Sequence, residues 1–253
     1  LGEYVVNKLR SFGVNTDFVK VAESGLTPVV LASQDPPEDP KIIFHRQPSA
    51  PDTQLEIEDL DTTSLLSAKI FWVSACALSQ APTSESIFNW LERRGTASQT
   101  IIDLDYRPSF WKDATSARNA AQRAISNCTI VIGNITECDV ALGIKDPQKA
   151  AQDLLDRGVS LAIVKMGGDG VILATKDEVQ VIQPLSIKLV CGLGAGDAFG
   201  GALVHGLLSG WGLKEIGEFA NAAGAYLASE LMCSDAMPTI DILNDFIRTG
   251  GKR

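Results

Sequence analysis

Apolar residues recur along this chain in two alternating patterns. Short runs that are apolar throughout, such as IFWV at 70–73, IVI at 130–132 and LAIV at 161–164, predict strands that are buried on both faces. Longer segments between them, such as residues 83–95 and 146–158, carry apolar residues at helical spacing. Because predicted strands and helices take turns, the pattern predicts a three-layer α/β fold with a mostly parallel central sheet flanked by helices.

One pair of apolar runs departs from this alternation. The runs TPVVLAS (27–33) and KIIFHR (41–46) are separated by an acidic, proline-rich loop. This arrangement predicts a β-hairpin that stands off the main sheet, as part of a small β lid over 27–46. The chain carries no internal repeat or low-complexity segment, so we expect residues 1–253 to form a single domain.

Local signals predict where several elements begin and end. Thr83 or Ser84 is expected to cap a helix that ends at Gly95, and Asp146 to cap a helix with Pro147 at its first position. The apolar pattern also predicts a strand near 187–190 and then helices at 195–210, 214–231 and 239–249.

Composition and charge limit the classes of function. With 253 residues, of which 45% are hydrophobic, the chain can bury a core without metals or disulfides. A net charge of −9 argues against nucleic acid or an anionic membrane as a partner, but it allows a small basic pocket for an anionic metabolite. The five cysteines form no C-x-x-C pair, which favours a reducing, cytoplasmic compartment. No run approaches the roughly 18 apolar residues of a membrane helix.

Four polar motifs stand where predicted strands give way to loops or helices. DLDYRPSFW (103–111), GNITE (133–137) and KMGGDG (165–170) each follow a strand, and GLGAGD (192–197) opens a long helix. Ligands of open α/β sheets bind beyond the C-terminal ends of the strands. We therefore expect the four motifs to share one edge of the sheet, and this common location carries more weight than any single motif.

The motif GLGAGD has two interpretations. Gly194, Ala195 and Gly196 leave backbone N–H groups uncovered at a helix N-terminus, where these donors and the helix dipole favour a phosphate. Asp197 in the first turn either satisfies the dipole only, or takes a proton from a hydroxyl that attacks this phosphate. The motif is neither a Walker A loop nor a dinucleotide-binding fingerprint, and the local sequence leaves both interpretations open.

The two motifs upstream, GNITE and KMGGDG, each have a structural and a functional interpretation as well. Asn134 and Glu137 either form the capped start of a helix or order the water shell of a magnesium ion, which keeps several of its waters. The glycines of KMGGDG suit a plain turn between strands as well as contact with a nucleotide.

Two arginines in this acidic chain also have two interpretations. Arg46 and Arg107 are either solvated surface residues or ligands of a carboxylate, which the guanidinium fork binds through two parallel hydrogen bonds.

Taken together, GNITE, KMGGDG and GLGAGDAFGGAL resemble, in order and spacing, the motifs of the ribokinase-like (PfkB) carbohydrate kinases. The resemblance covers essentially the whole chain. Longer blocks, among them TPVVLASQDPPEDPKIIFHRQPSAPD, IDLDYRPSFW and CSDAMPT, resemble a branch of that family that acts on a keto-deoxy sugar acid. The ribokinase-like three-layer fold with a small lid is the architecture that this resemblance implies.

The resemblance also implies an activity and its residues. The family transfers the γ-phosphoryl group of ATP, with magnesium, to a hydroxymethyl group of a small-molecule sugar. Asp197 corresponds to the catalytic base, and Gly194, Ala195 and Gly196 correspond to the anion hole. Asn134 and Glu137 match the N-x-x-E motif, so that magnesium is expected nearby through water, without a direct protein ligand.

Further positions correspond to the binding sites for the two substrates. Those that match nucleotide-binding positions are Lys165, Gly168, Gly170 and Asn221. Those that match sugar-binding positions are Arg46, Asp105 and Arg107, with the two arginines expected to approach a substrate carboxylate. The family pattern also raises the expectation of a homodimer that forms through the lid.

Two departures from the family pattern leave alternatives open. Cys191 stands where many members have an aspartate that helps to bind a monovalent cation, so no potassium site is expected here. The chain also starts directly with a helix, whereas members carry a preceding strand and sugar-binding turn. We therefore keep two alternatives: a kinase for another sugar or sugar acid, and a non-catalytic fragment that binds a nucleotide.

Overall fold

A six-stranded sheet and a separate hairpin contain the strands of this protein. The computed structural model describes residues 1–33, 35–38, 40–46 and 50–251. The strands are β1 (Val29–Ala32), β2 (Ile42–His45), β3 (Ile70–Ser74), β4 (Gln99–Asp103), β5 (Ile130–Asn134), β6 (Leu161–Lys165), β7 (Val171–Ala174) and β8 (Val179–Ile182). In the main sheet, β3 to β8 are neighbours in chain order. The strands β3 to β6 pair in parallel, and β7 and β8 pair antiparallel.

Helices cover both faces of this sheet. They are α1 (Gly2–Ser11), α2 (Thr62–Ser67), α3 (Thr83–Arg94), α4 (Ala114–Ile125), α5 (Ile135–Leu142), α6 (Pro147–Asp156), α7 (Ala195–Ser209), α8 (Leu213–Ala228) and α9 (Ile240–Arg248). One core contains buried side chains of α3 to α6, such as Leu91 and Leu154. The other contains side chains of α7 to α9, such as Leu203, Leu227 and Phe246. The predicted three-layer α/β fold is confirmed.

The strands at the centre are buried on both sides, as their continuously apolar sequences predict. Ile101 and Ile102 are both fully buried and contribute to opposite cores. Gly200 allows α7 to lie close to the sheet, since a Cβ at this position would come within 2.7 Å of the Trp72 ring. Gly200 therefore allows α7 to pack directly on β3, whereas Gly201 faces open space.

The predicted hairpin is also present. Strands β1 and β2 pair antiparallel, with Val29 opposite His45, and form a two-stranded sheet of their own. Gln34 and Asp39 of the connecting loop, and residues 47–49 after β2, lie outside the described residues. The backbone N–H of Gly192 donates to the carbonyl of Pro37 at 2.8 Å, so the hairpin loop contacts the segment that precedes α7.

Two local predictions are wrong. Residues 183–190 form no strand, because the amides of Val190 and Cys191 donate to the Ala228 carbonyl at the end of α8 instead of pairing with a strand. Helix α3 is not capped by Thr83 or Ser84, since it begins directly after Pro82 with no side-chain cap. The Thr83 hydroxyl instead accepts from the Leu55 amide and donates to the Asp52 carbonyl.

Other local predictions are confirmed. Asp146 caps α6 through the Lys149 amide at 2.8 Å, and Pro147 occupies the first helical position. Gly95 follows α3 with a φ of 59°, which favours glycine. The cysteines are all free thiols. Within the described ranges, no helix is both long enough and apolar enough to cross a membrane.

Candidate active site at the C-terminal edge of the parallel strands

Each of the four parallel strands ends in a polar residue. These residues are Ser74, Asp103, Asn134 and Lys165. The register pairs Ser74 with Asp103 and Asn134 with Lys165, so the four side chains lie along one edge of the sheet. The prediction that DLDYRPSFW, GNITE and KMGGDG share an edge is confirmed by this register.

The loop Gly194–Asp197, here called the anion loop, opens α7 beside this edge. Gly194 precedes the helix in the left-handed conformation, with a φ of 84°, which only glycine adopts without strain. A Cβ at Gly196 would lie 3.4 Å from the ammonium Nζ of Lys165. The helix N-terminus and an ammonium group therefore lie next to each other, and both are groups that attract an anion.

The amides of the anion loop are not all uncovered. The Ala195 amide donates to the Gly192 carbonyl at 3.3 Å, a long hydrogen bond that closes the turn before α7. The sequence-based expectation that Ala195 presents an unpartnered N–H group is therefore corrected. The first-turn amides of Gly196 and Asp197 remain the donors that helix geometry directs out of the helix.

Asp197 lies between groups of opposite charge. Burial raises the pKa of its carboxyl, and the negative charge of Asp105 adds to this rise. The positive charges of Lys165 and Arg107 act in the opposite direction. A carboxylate with a raised pKa at a helix N-terminus is chemically suited to accept a proton.

Asn134 and Glu137 form a reciprocal cap at the start of α5. The Asn134 side chain accepts from the Glu137 amide at 2.9 Å, and the Glu137 carboxylate accepts from the Asn134 amide at 2.7 Å. The structural interpretation of this pair is confirmed, and it does not exclude a second role. Among the described residues, no group of three or more acidic, histidine or cysteine side chains could hold a metal ion directly.

Asp103 is a site residue that the sequence reasoning missed. Burial raises the pKa of its carboxyl to about 6, the charge of Lys165 opposes this rise, and the charges of Glu137 and Asp105 add to it. The residue therefore lies among the charged groups at the centre of the edge. Its signal was present in the motif DLD, whose first aspartate is the last residue of β4.

Asp105 and Arg107 form an ion pair on the same side of the site. The Asp105 Oδ1 atom lies 2.7 Å from Nη2 of Arg107, and Oδ2 accepts from the Ser74 hydroxyl at 2.8 Å. Both carboxylate oxygens are thus engaged by protein groups. Asp105, predicted to bind substrate, is placed to hold Arg107 rather than to offer a free oxygen.

Arg46 is held by groups of its own. Its guanidinium pairs with Asp52 and lies 4.2 Å from the centre of the Phe110 ring. It lines a cavity of about 320 Å³ together with Phe44 and Phe110, whereas Arg107 does not line this cavity. Arg46 and Asp105 both act on the pKa of the Cys76 thiol, so Arg46 and the Asp105–Arg107 pair lie near the same thiol.

The predicted nucleotide-side residues lie in the turn after β6 and on α8. Gly170 has a φ of 93°, and a Cβ there would lie 2.0 Å from the Ile182 carbonyl, so this glycine is required by the turn itself. Gly168 faces open space. The Asn221 side chain donates to the Gln183 carbonyl at 3.0 Å. Gly168, Gly170 and Asn221 make no hydrogen bond to Asp197 in the part of the chain that the structure describes.

This arrangement, with a glycine-rich helix start beside polar strand ends, is compatible with an α/β enzyme that handles a phosphate. Residues 1–240 match the sequence profile described as pfkB family carbohydrate kinase. The chain belongs to the pfkB family of carbohydrate kinases, and it is a phosphotransferase that acts on a sugar hydroxyl.

The names of individual relatives are more specific than the name of the family. The chain is 32% identical to the 5-dehydro-2-deoxygluconokinase of Geobacillus thermodenitrificans, over 98% of this chain and 75% of the relative. It is 30% identical to the protein of the same name from Clostridium perfringens strain 13, with the same coverage.

Solved structures of similar fold include a fructokinase with bound ATP from Xylella fastidiosa, at a TM-score of 0.86 and 20% identity, covering all of this chain and 83% of that one. A fructokinase from Vibrio cholerae in its fructose, ADP and calcium ion bound form gives the same TM-score at 22% identity, covering 97% and 81%. At these identities the likeness concerns the fold.

Proposed function

We propose that this protein transfers the γ-phosphoryl group of ATP to the 6-hydroxyl of 5-dehydro-2-deoxygluconate. The observation that carries the proposal is the meeting of Asp197, the anion loop and Lys165 at one edge of the sheet. The relatives named 5-dehydro-2-deoxygluconokinase, at 30–32% identity over 98% of the chain, support this substrate.

The reaction follows from the charges in this site. The sugar hydroxyl oxygen attacks the γ-phosphorus. The bond between the γ-phosphorus and the oxygen that bridges it to the β-phosphate breaks, and ADP leaves with the electron pair. Asp197 accepts the proton of the hydroxyl group, and its raised pKa makes its carboxylate a better proton acceptor. The amides of the anion loop and the Lys165 ammonium stabilise the negative charge on the transferring group.

Magnesium fits the edge of the site as a hydrated ion. Asp103 and Glu137 are two carboxylates close enough for the charge of one to raise the pKa of the other, and a magnesium ion that keeps its waters can bind such a pair without direct ligands. When bound, it neutralises charge on the phosphate oxygens. Asn134 and Glu137 would hold it through water, while Gly168, Gly170 and Asn221 would border the nucleotide.

The carboxylate of the sugar acid would be bound by Arg107, with Arg46 closing the site from the lid side. The Arg107 side chain is 39% exposed, so part of its guanidinium faces solvent while Asp105 holds the rest. Removal of Arg107 should raise the KM for the acid by about tenfold to a hundredfold, because a charge-assisted bidentate contact is lost.

A substrate panel tests the proposal. The full-length protein is assayed with ATP and 5-dehydro-2-deoxygluconate, 2-keto-3-deoxygluconate, fructose and ribose, as wild type and as Arg107→Ala. Arg93→Ala, on the exposed face of α3, is the matched control. The proposal requires the highest kcat/KM for 5-dehydro-2-deoxygluconate and a loss with Arg107→Ala that is confined to acids. Preferred turnover of a neutral sugar would overturn it.

One observation favours a neutral sugar as the second candidate. Arg46 pairs with Asp52 and Arg107 pairs with Asp105, so each arginine already has a carboxylate partner that neutralises its charge. A site with two neutralised arginines could bind sugar hydroxyls instead. In that case the Arg107→Ala variant should lose similar activity on acids and on fructose.

A further inference from the structure

We propose that Ser74 and Cys76, at the C-terminal end of β3, are positioning residues that orient Arg107 through Asp105 and so determine the preference for an anionic sugar. The inference deepens the proposed function and rests on it. Neither residue belongs to the motifs that identify the family. Ser74 is the last residue of β3, whose sequence is otherwise apolar, and Cys76 follows two residues later.

Asp105 is the residue through which the contact is made. Its Oδ2 atom accepts a hydrogen bond from Ser74 Oγ at 2.8 Å, and its Oδ1 atom lies 2.7 Å from Nη2 of Arg107. Because the two oxygens belong to one planar group, fixing Oδ2 also fixes the direction in which Oδ1 points. The Ser74 hydroxyl therefore determines where the Asp105 carboxylate holds the guanidinium.

Cys76 completes the support from the other side of Ser74. Its Sγ atom lies 3.1 Å from Ser74 Oγ. The Ser74 hydroxyl donates its one hydrogen to Asp105, so the neighbouring thiol, which also interacts with Asp105, is the donor compatible with the second contact. Burial, followed by the charge of Asp105, raises the pKa of the Cys76 thiol to about 12. The thiol is thus neutral and able to donate at physiological pH.

The arrangement leaves Arg107 both fixed and accessible. Asp105 engages one nitrogen of the guanidinium, and the side chain is 39% exposed. A planar guanidinium has five N–H donors in a rigid fork, so the groups that Asp105 does not engage keep a defined direction towards a ligand. A fixed fork discriminates in favour of planar, two-oxygen anions, because both hydrogen bonds then form without loss of side-chain freedom.

The Ser74→Ala variant tests this role. We expect the KM for 5-dehydro-2-deoxygluconate to rise about tenfold, the order expected when a hydrogen bond to a charged group is lost, while kcat stays within about threefold and the KM for ATP is unchanged. Ser74→Thr keeps the hydroxyl on a β-branched side chain that suits a strand, and it should restore the wild-type KM.

A matched control separates positioning from stability. Ser86 is a buried serine of α3 whose hydroxyl donates to the Leu55 carbonyl at 2.9 Å, away from the site. Ser86→Ala should reduce the thermal midpoint to a similar degree and leave the KM for the acid unchanged. In an Arg107→Ala background, Ser74→Ala should add no further loss, because coupled residues act through one interaction.

The outcomes of the two proposals are distinguishable. If wild type phosphorylates only neutral sugars, the proposed substrate and this inference both fail. If wild type prefers the acid but Ser74→Ala behaves like Ser86→Ala, or its loss adds fully to that of Arg107→Ala, the inference alone is overturned. Failure of Ser74→Thr to restore the KM while Ser74→Ala raises it would also contradict a role for the hydroxyl.

Discussion

Three aspartates at one edge of the sheet differ in chemistry because their immediate surroundings differ. Asp105 has both oxygens engaged, by Ser74 and Arg107. Asp197, at the end of the anion loop, keeps contact with solvent, and desolvation together with the charge of Asp105 raises its pKa. Asp103 is partly buried, and desolvation with the charges of Glu137 and Asp105 raises its pKa to about 6 against the opposing charge of Lys165. A residue type alone therefore does not predict a role, and the partner atoms decide it.

The raised pKa of Asp103 predicts a pH dependence of stability. In the folded protein this carboxyl holds its proton up to about pH 6, whereas its ordinary pKa is 3.8. Its stabilising contribution is therefore complete below pH 3.8 and is lost as the pH rises through 6. Relative to Asp103→Asn, the free energy of unfolding of wild type should fall by up to about 3 kcal/mol between pH 4 and pH 7.

Urea unfolding of both proteins across this range measures the difference. Asp156→Asn, on the exposed side of α6, should show no such trend. A difference between wild type and Asp103→Asn that is independent of pH would contradict the assigned environment of Asp103.

Residues with a local signal could be predicted from the sequence, and residues defined by distant neighbours could not. Asp197 and the glycines before it occupy adjacent positions, so a single helix start reveals them. Asp103 and Ser74 gain their meaning from strands that are far apart in the chain, through Lys165 and Asp105 respectively. Sequence reasoning without pairing registers has no access to such contacts.

At the scale of elements, two glycines of one turn have different functions. Gly170 has a φ of 93° and no room for a Cβ, whereas Gly168 faces open space. Gly170→Ala should lower the free energy of unfolding by more than about 2 kcal/mol, because both the backbone and the Ile182 carbonyl must move. Gly168→Ala should change it by less than about 1 kcal/mol.

Thermal or denaturant unfolding of the two variants gives this comparison directly. If Gly168→Ala also raises the KM for ATP while its stability is unchanged, this result supports the proposed nucleotide role of the turn. Equal stability of the two variants would contradict the packing described for Gly170.

The reciprocal cap of α5 allows a second prediction for a single element. Asn134→Ala should lower the free energy of unfolding by about 1 kcal/mol, since the Glu137 amide loses its acceptor. Asp146→Ala, which removes the cap of α6, is the matched control of similar cost. Only Asn134→Ala should also raise the magnesium concentration needed for half-maximal activity. An equal magnesium requirement in both variants would argue against an outer-sphere role of Asn134.

The elements themselves were largely predictable because their hydrophobic periods are strong. The alternation of strands and helices, the hairpin and the cap at Asp146 all follow from local pattern. The strand expected at 187–190 does not form, because the amides of Val190 and Cys191 donate to the Ala228 carbonyl at the end of α8. The cap expected at Thr83 failed because residues 52 and 55 engage its hydroxyl. In both cases a tertiary contact overrode a local signal.

At the scale of the whole molecule, the lid hairpin exposes apolar side chains that the main cores do not cover. Leu31 of β1 and Ile43 of β2 lie opposite each other on one face of the hairpin, and they are 55% and 59% exposed. An apolar face of this kind is typical of a surface that another protein covers. We expect a second copy of this chain to cover it, as the family resemblance implies for the lid.

Sedimentation velocity tests this expectation. Wild type should sediment as a concentration-dependent dimer, and Leu31→Lys should shift it towards monomer by placing a charge in the interface. Val179→Lys changes an apolar residue of similar exposure on β8, at 59%, and should leave the dimer intact. A monomeric wild type at all concentrations would contradict the lid interface.

The central claim is that Asp197, beside the anion loop, makes this chain a sugar kinase. Its most direct test is the steady-state rate of ADP formation by the full-length Asp197→Asn variant with 5-dehydro-2-deoxygluconate and ATP. The account predicts that kcat falls by about a hundredfold to ten-thousandfold, as expected for loss of a general base, while calorimetric ATP binding stays within threefold and Asp156→Asn retains full activity. A variant that keeps more than about a tenth of the wild-type kcat would contradict the account.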